Sequence, residues 1–248
     1  MWGYIIVGIA GFLAGAQNAV AGGGSFLTFP ALLFAGLDPR AANISSTIAL
    51  FPAQLTMGWS GRSLASGSGG LSLWTLVWIS LVGGGIGAVL LLATPVGVFT
   101  HLVPWFIAFA TVIFIWGNFF KKPNADGSPS SLPVPVSLVL QFLIAIYGGY
   151  FGGGIGILML AALTAVGMVV RNAGATKNVL AGVMNAAAVV IFVSRGHIEW
   201  GLVVDQGITG IAGGYLGVAI LKRAPMNVLR IAVAVIGTAL TIGMFLRS

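Results

Sequence analysis

This chain carries almost no charge for its size: 11 Lys or Arg and 4 Asp or Glu among 248 residues, or 6%, where soluble domains carry about 25%. Such a sequence cannot clothe a globule in water. Its mean hydropathy is +1.07, and stretches such as Leu76 to Leu92 are apolar on every side. Barrel strands would alternate lipid-facing and lumen-facing residues, so membrane-spanning helices are the remaining solution. Crossing about 30 Å of hydrocarbon takes roughly 20 helical residues, which allows about ten crossings with short loops and leaves no room for a soluble domain. The net charge of +7 reflects scarce acids rather than a basic patch, which argues against a nucleic-acid binder. Cysteine is absent, so no disulfide or thiolate chemistry is available. The opening MWGYIIVGIAG has no basic residues before its apolar run and reads as a first membrane helix rather than a cleaved signal.

One stretch, Lys121 to Pro135, combines charge, Pro, Ser and Gly and reads as a linker. It divides the chain into a first repeat at 1–120, a cytoplasmic linker at 121–135 and a second repeat at 136–248. The halves are related at an offset of 130 or 131 residues. Gly22, Gly23 and Gly24 then meet Gly152, Gly153 and Gly154; Gly83, Gly84 and Gly87 meet Gly213, Gly214 and Gly217; Gly36 meets Gly167, Arg40 meets Arg171 and Pro95 meets Pro225. A register held over most of each half marks an internal duplication.

Each half divides into five apolar elements, at 3–16, 25–37, 43–59, 72–94 and 100–119, then 134–151, 155–169, 173–194, 199–221 and 226–245. The first two of each half are short, so each pair is either one kinked span or two broken pieces, giving eight to ten elements in all. Basic residues collect in cytoplasmic loops. With ten elements, eight bases fall on one face (Arg62, Lys121, Lys122, Arg171, Lys177, Lys222, Arg223 and Arg230) and three, Arg40, Arg195 and Arg247, on the other. The eight-span count splits them six against five, with no orientation signal. Ten elements are therefore expected, with the second half inverted and both termini outside. The fold class is all-α: a polytopic transmembrane bundle of two inverted repeats.

The glycine triplets mark helix breaks, because each glycine costs about 1 kcal/mol relative to alanine inside a helix. Helices restarting at Ser25 and Ile155 would aim free N–H groups and positive dipole ends at an anion near the bilayer midplane. In the third element of each half, Thr47 and Gln54 lie seven residues apart and match Asn178 and Asn185 at offset 131. The two polar stripes thus face a common pseudo-twofold axis. Lys177, opposite Ser46 in the repeat, either snorkels to the interface or supplies positive charge to the substrate. Asp205 is the acid expected below the membrane surface and is the candidate for proton coupling. The remaining glycines, Gly83 to Gly87 and Gly210 to Gly217 among them, suit close helix packing. Nothing in the sequence has metal-ligand spacing, and no cofactor is called for.

The motifs AGGGSFLTFPALL at Ala21 to Leu33, followed by Gly36, and YFGGGIGILML at Tyr150 to Leu160, followed by Gly167, resemble those of the TauE/SafE sulfite and organosulfonate exporters. The likeness extends over almost the whole chain. It implies a multi-pass carrier of the prokaryotic plasma membrane that exports small sulfur-containing anions such as sulfite, sulfoacetate or thiosulfate, with the two glycine motifs carried over to Gly22–Gly24 and Gly152–Gly154. An anion channel is the nearest alternative. A further one is a rhomboid-like serine protease using Ser60 of the Gly58-Trp59-Ser60-Gly61 string with His197 as base. Partners are then the small anion and the bilayer, and self-association into a homodimer is compatible with a compact carrier.

Overall fold

The computed structural model describes residues 2–20, 23–116, 119, 133–196, 198–221 and 226–246. Gly22, His197, Lys222, Arg223, Arg247 and the linker before residue 133 lie outside the described residues, as do the side chains of Arg171 and Arg230. Among those described, the chain folds into ten α-helices: α1 (Trp2–Val20), α2 (Ser25–Phe34), α3 (Pro39–Gly61), α4 (Leu73–Ala93), α5 (Val96–Ile115), α6 (Val134–Tyr150), α7 (Ile155–Ala165), α8 (Val170–Arg195), α9 (Trp200–Leu221) and α10 (Met226–Phe245).

Local chemistry sets the boundaries. Asp38 starts α3 by accepting from the Arg40 and Ala41 amides, with Pro39 in the first turn. Ser72 caps α4 through the Thr75 amide. The two short helices end alike: Gly36 and Gly167 take φ of +99° and +87°, and the amides of Leu37 and Met168 reach back to the carbonyls of Leu32 and Leu163. Both are left-handed glycine stops, 131 residues apart.

Packing repeats in the same register. α1 lies parallel to α9, with Gly8 against Asp205 and Gly15 against Gly210 and Gly214. Its counterpart α6 lies parallel to α4, with Gly83 against Ala145 and Gly87 against Tyr150. The equivalent helices α3 and α8 pack on each other, with Gly61 beside Ala175, Gly58 beside Asn178 and Gln54 bonded to Asn185. Residue numbers rise along one helix as they fall along the other, so α3 and α8 are antiparallel. The axis relating them therefore lies across the helices, which makes the repeat inverted. Had α1 and α2 formed a single crossing, α3 and α8 would run the same way. Instead α2 folds back along α1, its start against Ala14 and Asn18 and its end, Ala35, against Gly3. The ten-element reading holds.

At 10 and 11 residues, α2 and α7 are about 15 Å long, half a bilayer core. Three helices, α4, α5 and most of α8, are long and apolar enough to cross a bilayer on composition alone, among the described residues. The 23-residue α3 is too polar for that test and sits inside the bundle, where Asn43, Ser45 and Ser46 are buried. Exposed Trp2 and Trp200 stand at the end of the bundle where α3 begins, and exposed Trp59, Trp74 and Trp116 at the other, as in aromatic belts. The first end is called the Arg40 face below and the second the Arg62 face.

Glycines let the paired helices touch. A methyl group on Gly15 would overlap the Gly210 carbonyl, and one on Gly213 the Phe12 carbonyl. Gly15→Val is therefore expected to destabilise the protein by about 3 kcal/mol or more, measured as thermal unfolding in detergent. Gly243→Ala, where an added methyl meets nothing within 4 Å, should leave the transition unchanged.

Candidate substrate site

The two glycine breaks meet in the middle of the bundle. Thr28 of α2 and Ser46 of α3 share a hydroxyl hydrogen bond of 2.6 Å. Because α2 and α3 are antiparallel neighbours, the start of α2 lies one turn further along α3, near Leu50, the midpoint of that helix. On the other side of the axis, Asn43 donates to the Tyr150 carbonyl at 3.0 Å, and a methyl on Gly152 would lie 3.9 Å from the Thr47 hydroxyl. The N-termini of α2 and α7 thus approach the same depth, each from the opposite half of the membrane.

Left-handed backbone produces the turns. Gly23, Gly152 and Gly154 have φ of +89°, +74° and +72°, a region that costs a residue with a side chain roughly 1–2 kcal/mol. Side chains then tie the broken backbone down. The Asn18 carboxamide oxygen accepts from the Gly24 amide at 2.7 Å, and the Tyr147 hydroxyl donates to the Gly153 carbonyl at 2.9 Å. Phe151 packs among Phe29, Phe99 and Phe106, which fixes the second break against α2 and α5.

Between the breaks lies a small cavity of about 40 Å³. Eight of the residues singled out from sequence line it: Gly23, Ser25, Thr47, Gln54, Gly152, Lys177, Asn178 and Asn185. Gln54 and Asn185, equivalent in the repeat, bond to one another through their carboxamides and so mark the pseudo-twofold axis itself. Lys177 is 7% exposed and forms no hydrogen bond or ion pair with a described residue. It lines the cavity rather than snorkelling to the Arg62 face. The backbone amides of Ser25 and Gly156, at the two helix starts, have no acceptor among the described residues.

Three of the singled-out glycines do not line the cavity. Gly24 is packed on Asn18 and Ala14, Gly153 on the Phe151 ring, and Gly154 on Ala110; they shape the turns instead of facing the space. Gly22 is outside the described residues. Asp205 is not at the cavity either, because its face of α9 turns toward Gly8 of α1, where its Oδ2 is buried without a partner. Sequence reasoning missed Asn18, which is 8% exposed. Its Nδ2 is buried without an acceptor, and the residue lines the cavity. Of the protease alternative, Ser60 stands in the last turn of α3, whereas Gly196 packs by Ile44 near the start of that helix, about 24 Å away by helical rise; the proposed base, His197, lies outside the described residues.

An inverted pair of half-helices aimed at a polar midplane cavity is the architecture of a membrane transporter. The chain belongs to the TauE/SafE family: the family described as "Sulfite exporter TauE/SafE" matches residues 7–244. Curated relatives match over most of their own length. A "Probable membrane transporter protein" of Haemophilus influenzae is 28% identical over 236 residues, covering 93% of this chain and 90% of the relative. A "Probable membrane transporter protein ORF9" of Sinorhizobium sp is 27% identical over 240 residues, covering 94% and 89%. The "Probable membrane transporter protein YfcA" of Escherichia coli K12 is 25% identical over 227 residues, covering 87% and 78%.

If the left-handed turn holds the second break, Gly154→Ala should lower stability by about 1–2 kcal/mol, with the added methyl also crowding Ala110. Thermal unfolding in detergent checks this against Gly174→Ala, a site with nothing within 4 Å.

Proposed function

We propose that the protein is a secondary carrier that exports a small anion, sulfite or an organosulfonate, across the prokaryotic plasma membrane by alternating access, with the basic Arg62 face in the cytoplasm and both termini outside. The observation that carries this reading is Lys177, in no ion pair with a described residue, beside a cavity that two helix N-termini share. Each terminus adds about half a positive charge. A cation at bilayer depth costs about 2.5–3.5 kcal/mol on insertion scales, and an anion at 4 Å returns about 4 kcal/mol at an effective dielectric constant of 20. The site is thus electrostatically incomplete without an anion.

Neutral donors complete the coordination. The amides of Ser25 and Gly156, the hydroxyl of Ser25 and the carboxamides of Asn18, Gln54, Asn178 and Asn185 replace water around an oxyanion. A carboxamide turned by 180° exchanges donor for acceptor with little change of shape, so the Gln54–Asn185 pair can follow the ligand. Inverted repeats with broken helices suit a carrier that rearranges around a central site over an open channel. The relatives' names support transport in general, and the family's name supports sulfite.

Thermal shift in detergent with sulfite, sulfoacetate, thiosulfate, carboxylates and phosphate tests the anion class, followed by counterflow in proteoliposomes. Saturable counterflow is expected; conductance far above carrier turnover would overturn the carrier. Lys177→Gln should raise the KM at least tenfold and Asn185→Leu should weaken transport, both without loss of membrane insertion. Unchanged affinity in both would remove the site. Proton coupling through Asp205 is the accompanying proposal: Asp205→Asn should leave anion affinity intact and abolish the acceleration of flux by a pH gradient.

A further inference from the structure

A second and much larger cavity, about 690 Å³, opens at the Arg40 face. Arg40 of α3 and Arg195 of α8 line it, with Ser194, Ile44 and Ile191. Arg40 is held in place by a 3.0 Å hydrogen bond from Nη1 to the Thr94 carbonyl. Asp38 lines the same space, but its carboxylate accepts from the Arg40 and Ala41 amides as the cap of α3. Neither arginine is in an ion pair with a described acid.

The placement of these two arginines runs against the rest of the chain. Lys and Arg are depleted on the face opposite the basic loops, yet both of the described arginines that stand there line this one vestibule. Its position is also informative. Along α3, Arg40, Ile44, Thr47 and Gln54 follow at helical spacing on one face, and along α8 Arg195 and Ile191 lie one turn apart, with Asn185 further along the same helix. The first members of each series line the vestibule and the last line the central cavity. Only about one helical turn, roughly 4.5 Å of rise, separates Ile44 from Thr47.

We propose that this vestibule is a second anion-binding site, in which Arg40 and Arg195 hold a small oxyanion such as a sulfonate on the Arg40 side of the central cavity. The inference rests on the anion-carrier reading and adds to it a station at the mouth of the path. Two arginines against the one Asp38 carboxylate leave the wall net positive, and positive charge in a concave, partly apolar wall focuses the local field and concentrates anions there.

The absence of native cysteine permits a direct test. In a Ser194→Cys variant in nanodiscs, labelling by the anionic sulfonatoethyl methanethiosulfonate is compared with the cationic trimethylammonium-ethyl reagent, each normalised to its rate with free cysteine. The normalised rate is expected to favour the anion about tenfold, and sulfoacetate should slow it. Adding Arg40→Gln and Arg195→Gln should abolish both the preference and the protection, whereas Arg40→Lys with Arg195→Lys should keep the preference. A preference unchanged by the glutamine pair, or labelling indifferent to sulfoacetate, overturns the proposal. The central site is judged separately. If it fails, Lys177→Gln leaves flux unchanged while the labelling still depends on the arginines. If the vestibule fails, Lys177→Gln still impairs flux while the labelling does not respond to them.

Discussion

Backbone that leaves the helix inside a membrane has no water to satisfy it, so it survives only where protein encloses it or where it lines a cavity. The architecture follows from meeting that constraint twice. At the first break Asn18 takes the Gly24 amide; at the second, Tyr147 and Asn43 take the carbonyls of Gly153 and Tyr150. Surrounding helices exclude lipid from both. Ser25, Gly156, Asn18 and Asn185, which keep polar groups without a partner among the described residues, all line one small space. A small polar cavity is thus what remains when the cost of two broken helices has been minimised.

Duplication explains the geometry and its departures explain the chemistry. The inverted repeat places Gln54 against Asn185 on the axis and brings α2 and α7 in from opposite halves of the membrane. A strictly symmetric site would treat both faces alike. Lys177 opposite Ser46, and Asn18 without a polar counterpart among Gly148 and Gly149, break that equivalence. Charge is concentrated on the α8 side, while the α1–α2 turn contributes neutral donors.

Much of this was legible because the repeat register carries spatial information. Ser25 and Ile155 start the half-helices as the glycine triplets imply, and Thr47, Gln54, Asn178 and Asn185 line one cavity as their shared spacing of seven implies. What stayed hidden has physical reasons. Asn18 has no repeat partner, and its value appears only when α2 folds back on α1. Gly24, Gly153 and Gly154 belong to the same motifs as their neighbours, but whether a glycine faces the cavity or a helix depends on the turn in three dimensions. Asp205 was conspicuous as an intramembrane acid, yet the helix face that bears it packs on α1. The vestibule draws on residues from α3, α4 and α8 that no sequence window joins.

In the proposed carrier one anion occupies the axis between the two half-helix starts. Crystals soaked in selenite, an anomalous scatterer with the shape of sulfite, test it most directly. A selenium peak is expected beside Lys177 between the amides of Ser25 and Gly156, and it should be lost in Lys177→Gln. A peak absent from that cavity in crystals whose protein still transports selenite would contradict it.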